Sequence, residues 1–259
     1  MRLKTSPFIY LNFFILIFFI ALSGLPGRTE EGTPIQDIER YFPDEIGMTW
    51  TYRGSVADQV QRVGAYTNIA SVKGTAEKKG VQVKIFAETN QANDGPAESY
   101  FVRDKEGITY HGGDPTTPFE SQIVPYRVIH FPIVLNGTFS QIEKSGLAFG
   151  RDLDNDGKDE ETDVSARITA VSLETVSTPA GTFKNCLKLQ GTMTLQIALS
   201  GSGKVVQLTD TTTNWFAPEV GMVKGTEKTE FPSIEGRGGQ GILITEELTE
   251  YSKEKSSLH

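Results

Sequence analysis

Between Leu187 and Leu199 the chain alternates. Leu187, Leu189, Met193, Leu195, Ile197 and Leu199 share one phase of a two-residue period, and Lys188, Gln190, Thr192, Thr194 and Gln196 mainly occupy the other. Successive side chains of a strand point to opposite faces, so this separation predicts a half-buried antiparallel strand. Val81, Val83 and Ile85 repeat the pattern against Gln82 and Lys84, and Val164, Ala166 and Ile168 repeat it against Ser165, Arg167 and Thr169. The apolar set then moves to Val171 and Leu173, a phase change of one residue that predicts a bulge near Ala170.

Turn signals separate these runs at Lys79-Gly80, Asn93-Asp94-Gly95-Pro96, Lys105-Glu106-Gly107, His111-Gly112-Gly113, Asn136-Gly137, Pro179-Ala180-Gly181 and Ser200-Gly201-Ser202-Gly203. With hardly any helical periodicity between them, the spacing predicts consecutive hairpins. The expected fold is mainly β: a large antiparallel, strongly curved sheet or half-barrel of about 10 to 12 strands. One short N-terminal helix is expected, because Thr33-Pro34-Ile35-Gln36 offers an N-cap, a proline at the first helical position and a capping-box glutamine. Ile35, Ile38 and Phe42 follow at helical spacing, and Pro43 stops the helix early.

The N-terminus changes the picture of where this sheet resides. Arg2 and Lys4 precede an apolar stretch from Phe8 to Leu22, followed by small residues at Ser23 and Gly24, the order of a secretory signal. Residues 1–23 therefore form a signal peptide, or a signal anchor where cleavage fails. Residues 24–33 form a polar linker, 34–252 a single β-rich envelope domain, and 253–259 a polar tail expected to fray. The export signal predicts a periplasmic, cell-surface or extracellular location, with membrane contact only through the N-terminal segment if it stays attached. Formal net charge is -8, and loss of Arg2 and Lys4 takes it to -10. This balance disfavours nucleic acid and anionic membrane surfaces as partners. The lone Cys186 precludes a disulfide within the chain, so stability must come from the core, where Cys186 itself is expected as a small buried hydrophobe.

One segment carries recognisable ligand chemistry. In the acidic loop at 152–163, Asp152, Asp154 and Asp156 stand at positions 1, 3 and 5 of a calcium-loop pattern, with Gly157 at the sharp turn. The Lys158 carbonyl, Glu160 and Asp163 stand at positions 7, 9 and 12. Calcium takes 6–8 such oxygens, and close carboxylates repel one another without a cation. A structural calcium site is expected, on a hairpin rather than between helices; the competing reading is a solvated acidic turn built on Asn155-Asp156-Gly157. Elsewhere the chemistry is sparse. His111 and His130 have no assignable nucleophile, and His111 is expected in a turn. Gly236-Arg237-Gly238-Gly239-Gln240-Gly241 spells a dinucleotide fingerprint but precedes a strand pattern, so a glycine turn is expected. Asn136-Gly137-Thr138 serves equally as a hairpin turn.

Three segments carry a resemblance: Tyr41-Phe42-Pro43 continuing through Gly47-Met48-Thr49-Trp50-Thr51-Tyr52, then Thr178-Pro179-Ala180-Gly181-Thr182-Phe183-Lys184-Asn185-Cys186, then Asn214-Trp215-Phe216-Ala217-Pro218-Glu219-Val220-Gly221-Met222-Val223-Lys224. In that order they resemble a family of bacterial cell-envelope proteins of unknown function whose fold is similar to the LolA/LolB lipoprotein-carrier half-barrel. The resemblance implies a concave face able to accept a lipid or another apolar ligand. At Leu22-Ser23-Gly24-Leu25 a leucine stands where a lipoprotein needs its acylated cysteine, so lipid cannot attach there. The expected function is a non-catalytic binding or interaction module, with no catalytic residue assigned. A structural or assembly partner of another envelope protein is the second reading, and a hydrolase built from carboxylates joined by folding is the third.

Overall fold

The alternation resolves into twelve strands in the structure, a computed structural model that describes residues 32, 34–58, 63–89, 95–234 and 238–252. They are β1 (Thr49–Asp58), β2 (Val63–Lys78), β3 (Val81–Glu88), β4 (Ala97–Asp104), β5 (Gly107–Asp114), β6 (Tyr126–His130), β7 (Thr138–Ala148), β8 (Glu161–Thr178), β9 (Gly181–Ala198), β10 (Val205–Ala217), β11 (Gly221–Phe231) and β12 (Gln240–Ser252). One helix, α1 (Pro118–Ile123), joins β5 to β6. The signal at 1–23, the linker at 24–33 apart from Gly32, Asn93-Asp94, Gly236-Arg237 and the tail at 253–259 lie outside the described residues.

All twelve strands form one sheet in the order β6-β5-β4-β3-β2-β1-β12-β11-β10-β9-β8-β7. Two six-stranded meanders are therefore zipped together along β1 and β12, which pair antiparallel from Thr49 opposite Ser252 to Asp58 opposite Ile242. The sheet curls until it nearly closes into a barrel. Side chains span the remaining seam between β6 and β7. Gln141 Nε2 donates to the Val128 carbonyl at 2.9 Å, and the Gln122 amide exchanges two 2.9 Å hydrogen bonds with the backbone of Ala148. Lys144 Nζ donates to the carbonyls of Gln122 and Ile123 at 2.7 and 3.2 Å. The Val128 carbonyl on β6 and both backbone groups of Ala148 on β7 are thereby occupied.

The strongest alternation supplies the middle of the core. Leu187, Leu189, Leu195 and Ile197 of β9 are fully buried, and each contributes about 1.5–3 kcal/mol by leaving water. The β8 register shifts between Ala170 and Ser172, which is the expected bulge. The Asn136-Gly137 turn docks there: Asn136 N donates to the Ala170 carbonyl at 2.6 Å and Ala170 N to the Gly137 carbonyl at 3.1 Å. Cys186 is fully buried, as its apolar surroundings in the sequence suggest.

Three local expectations are corrected. Pro34 is not a helix start but forms a β-bridge with Val134, and a four-residue 3₁₀ turn begins only at Ile38. The capping box belongs instead to α1, where Thr117 Oγ1 accepts from Glu120 N at 3.0 Å and Thr117 N donates to Glu120 Oε2 at 3.3 Å. His111-Gly112-Gly113 is not a turn: β5 runs through it, and Gly112 at φ +101° accompanies a register shift against β4. On β3 the wall of the interior cavity is built by Lys84, Phe86 and Glu88, the phase opposite to Val81, Val83 and Ile85. Among the described residues no helix is long and apolar enough to cross a membrane.

Candidate functional site

The N-terminal segment from Ile38 to Asp44 crosses one end of the barrel. Arg40 holds it to the β10–β11 turn through Glu219 at 2.5 Å, and Glu219 N donates back to the Arg40 carbonyl at 2.7 Å. Phe42 enters the interior with its ring centroid 5.1 Å from that of Phe216. Beneath it lies a cavity of about 140 Å³, walled by Trp50, Tyr52, Phe86, Phe101, Phe216 and Met222 among others. Trp50 Nε1 donates to the Val220 carbonyl at 2.5 Å and the Tyr52 hydroxyl to the Met222 carbonyl at 3.0 Å. With their polar atoms satisfied by backbone, these rings leave apolar surface for the cavity. Phe86 lies between Trp50 and Phe101, with centroids at 6.4 and 5.4 Å.

Charge is divided between the two ends of this wall. On β3, Lys84 and Glu88 flank Phe86 on the same face, about 13 Å apart along the strand. At the Lys84 end stand Arg103 and Asp44: Lys84 Nζ donates to the Asp44 carbonyl at 2.9 Å, and the Asp44 carboxylate lies 3.9 Å from Lys84 and 3.8 Å from Arg103 Nε. At the other end the Asn68 amide donates to Glu88 at 3.1 Å and to Glu246 at 3.2 Å, while the Tyr66 hydroxyl donates to Glu246 at 3.0 Å. Strand register carries Glu227 and Asp210 onto this inner face, since Gly225 pairs Glu246 and Thr229 pairs Asp210.

Burial dominates the electrostatics of these four acids. Removal from water pushes Glu246 up to about 7, with the nearby Glu88 charge adding to the effect. Desolvation likewise raises Glu88, against the Asn68 hydrogen bond, and raises Asp210. Glu227 is raised well above its ordinary value, being desolvated and facing Asp210, Glu246 and Glu88 together. None of the four was singled out from the sequence, nor were Lys84 and Arg103. The available signal was a charged residue at an inward phase, as in Ile242-x-Ile244-x-Glu246-x-Leu248.

The acidic loop is a separate site on the outer end of the β7–β8 hairpin. The structure brings Asp152, Asp154 and Asp156 together, each with a carboxylate oxygen within 4.8 Å of the others. Asp152 accepts from the amides of Asn155, Asp156 and Gly157 at 2.6, 3.2 and 2.9 Å. Asp154 accepts from Gly201 N at 2.9 Å, which ties the loop to the β9–β10 hairpin, and Asp156 accepts from Lys158 N at 2.9 Å. Glu160 is buried behind them: Oε1 accepts from Leu153 N and Asp154 N at 2.9 and 3.3 Å, and buried Oε2 has no hydrogen-bond partner. Asp163 stands apart from the loop. It belongs to β8, and its Oδ1 accepts from Gly146 N at 2.9 Å because the strand has already begun at Glu161. Three aspartates arranged this way suit a hard oxygen-seeking cation.

Among the described residues, His111 and His130 do not join either site chemically. His111 sits on β5 with its pKa lowered by burial, and His130 packs its ring 4.7 Å from that of Phe139. Burial also raises the Cys186 thiol, which donates to the Phe183 carbonyl at 3.4 Å, so it is unsuited to nucleophilic work.

Two solved structures are similar to this chain at low identity. A crystal structure of a "putative lipoprotein" from Parabacteroides distasonis matches 82% of this chain and 98% of its own length, at 16% identity and a TM-score of 0.39. A "putative exported protein" with a YmcC-like fold from Bacteroides fragilis matches the same shares at 17% identity and a TM-score of 0.38. No curated protein matches. Residues 153–229, from the acidic loop through most of β11, match the family described as DUF3108-like.

Proposed function

We propose that the protein is an exported, non-catalytic binding module that takes an apolar ligand into the barrel, with calcium ordering the acidic loop. The observation that carries this reading is the aromatic cavity beneath Phe42. The polar atoms of its Trp50 and Tyr52 rings are turned into backbone hydrogen bonds, leaving their faces to meet a ligand. The volume, about 140 Å³, is close to that of an apolar cavity of about 150 Å³ known to accept benzene, so it suits one ring or one acyl segment rather than a whole diacyl lipid. The N-terminal signal pattern supports export, and the resemblance of three segments to an envelope family with a carrier-type half-barrel supports apolar cargo. The test is titration of delipidated protein with a fluorescent fatty-acid probe, following Trp50. Saturable uptake is expected, and Ala70→Phe, which adds a ring to the cavity wall, is expected to abolish it; absence of uptake by the unaltered protein rejects the reading.

A hydrolase reading has one observation in its favour. Glu88 and Glu246, 158 positions apart (246 less 88), meet on the Asn68 amide, and Glu246 titrates where a general acid works. The apolar wall beside them favours binding over chemistry. Assembly with another envelope protein is supported less, because the β6 and β7 edges already face each other across hydrogen-bonding side chains.

A further inference from the structure

The two ends of the cavity differ in what they lack. At the acidic end the carboxylates accept from Asn68 and Tyr66, and their raised affinity for protons lets them sit near neutral pH without a cation. At the basic end Arg103 Nε is buried and makes no hydrogen bond. A buried donor without an acceptor is costly, more so on a charged group. Asp44 approaches it only to 3.8 Å, and also faces Lys84 at 3.9 Å, so one carboxylate is shared loosely between two cations. Two positive charges against one negative leave a formal excess of +1 beside an aromatic wall. All three side chains are about a quarter exposed, which leaves this end open to an entering group.

We infer that the cavity's ligand is an amphiphile with a single anionic headgroup, bound by Lys84 and Arg103, with its apolar tail lying along Phe86 and Phe101. This rests on the binding reading above and specifies its ligand class. The headgroup supplies the acceptor that Arg103 Nε lacks and neutralises the excess charge. The tail then follows the inner face of β3 away from the basic end. Asp44 competes with the headgroup for the same two cations, so it opposes binding rather than assisting it.

The experiment is calorimetric titration of the full-length, delipidated protein with laurate, dodecyl phosphate, dodecanol and dodecylamine, each below its micelle concentration. Laurate or dodecyl phosphate is expected to bind at least about tenfold more tightly than dodecanol, a difference of about 1.4 kcal/mol. The tighter of the two anions identifies the headgroup as carboxylate or phosphate. In Lys84→Gln and Arg103→Gln the anion's advantage is expected to shrink severalfold while dodecanol binding is unchanged, and Asp44→Asn is expected to strengthen anion binding. That gain cannot come from a merely damaged fold. Equal binding of anion and alcohol, tighter binding of dodecylamine, or an anion preference that survives both glutamine variants overturns the inference and leaves the binding reading standing. Failure of every amphiphile to bind overturns both.

Discussion

The chain holds two groups of acids that solve like-charge crowding in opposite ways. In the loop, Asp152, Asp154 and Asp156 accept backbone amides at nearly every oxygen, so turn N–H groups surround the crowded carboxylates. Inside the barrel the crowding is met by burial, which raises the pKa of Glu88, Asp210, Glu227 and Glu246 against the side-chain donors that reach them. Amide donors come from a tight turn, whose consecutive N–H groups point inward. Strands cannot offer that, because their amides are spent on the ladder. Location in the backbone thus decides whether an acidic cluster is met by amide donors or by burial.

The contrast is tested most forcefully by pH. Glu246 titrates near 7 in the folded state, above the ordinary carboxylate value of 4.5, so the folded protein binds more protons than the unfolded chain between those limits. Its contribution is complete below the unfolded value and is lost as pH rises through about 7. Melting followed by circular dichroism is expected to fall over that window by on the order of 2–3 kcal/mol, or roughly 5–10 °C. Glu246→Gln keeps the acceptor oxygen for Tyr66 and Asn68, so it is expected to make the profile shallower, the other raised acids remaining, and to exceed the unaltered protein in stability at pH 8. A profile that rises across the window instead would erase the distinction between the two acid groups. Asn68→Leu is expected to cost about 1–3 kcal/mol, because Glu88 and Glu246 each lose an amide donor, and to move the pH midpoint upward. Calcium sharpens the other side. A tenfold excess over the dissociation constant is expected to stabilise by about 1.4 kcal/mol, and chelation to reverse it. Asp154→Asn is expected to remove the calcium response while leaving the pH profile intact; a calcium response undiminished in that variant would move the ion elsewhere.

The same contrast explains what could be read in advance. The loop was legible because its aspartates are two residues apart and the pattern is local. Asp163 was misplaced because spacing alone does not reveal that β8 starts at Glu161 and turns that side chain toward Gly146. The β9 face and the Ala170 bulge were legible because a two-residue period reports directly on burial. The interior acids come from four strands, and only the curl of the sheet gathers them. On β3 the larger number of aliphatic residues drew attention to the Val81 phase, whereas Lys84, Phe86 and Glu88 face the cavity. The capping signature was read at Thr33-Pro34 and missed at Thr117-Pro118; tertiary pairing of Pro34 with Val134 overrode the first, while Glu120 completed the second.

The zip between β1 and β12 also sets the order of events when the polypeptide is made. Neighbouring strands can form as soon as each hairpin emerges, but the first strand must wait for the last before the ring of staves is complete. Until residue 240 and beyond have appeared, both halves expose an unmatched backbone rim and an unroofed interior. A chain still being made therefore stays open nearly to its last strand.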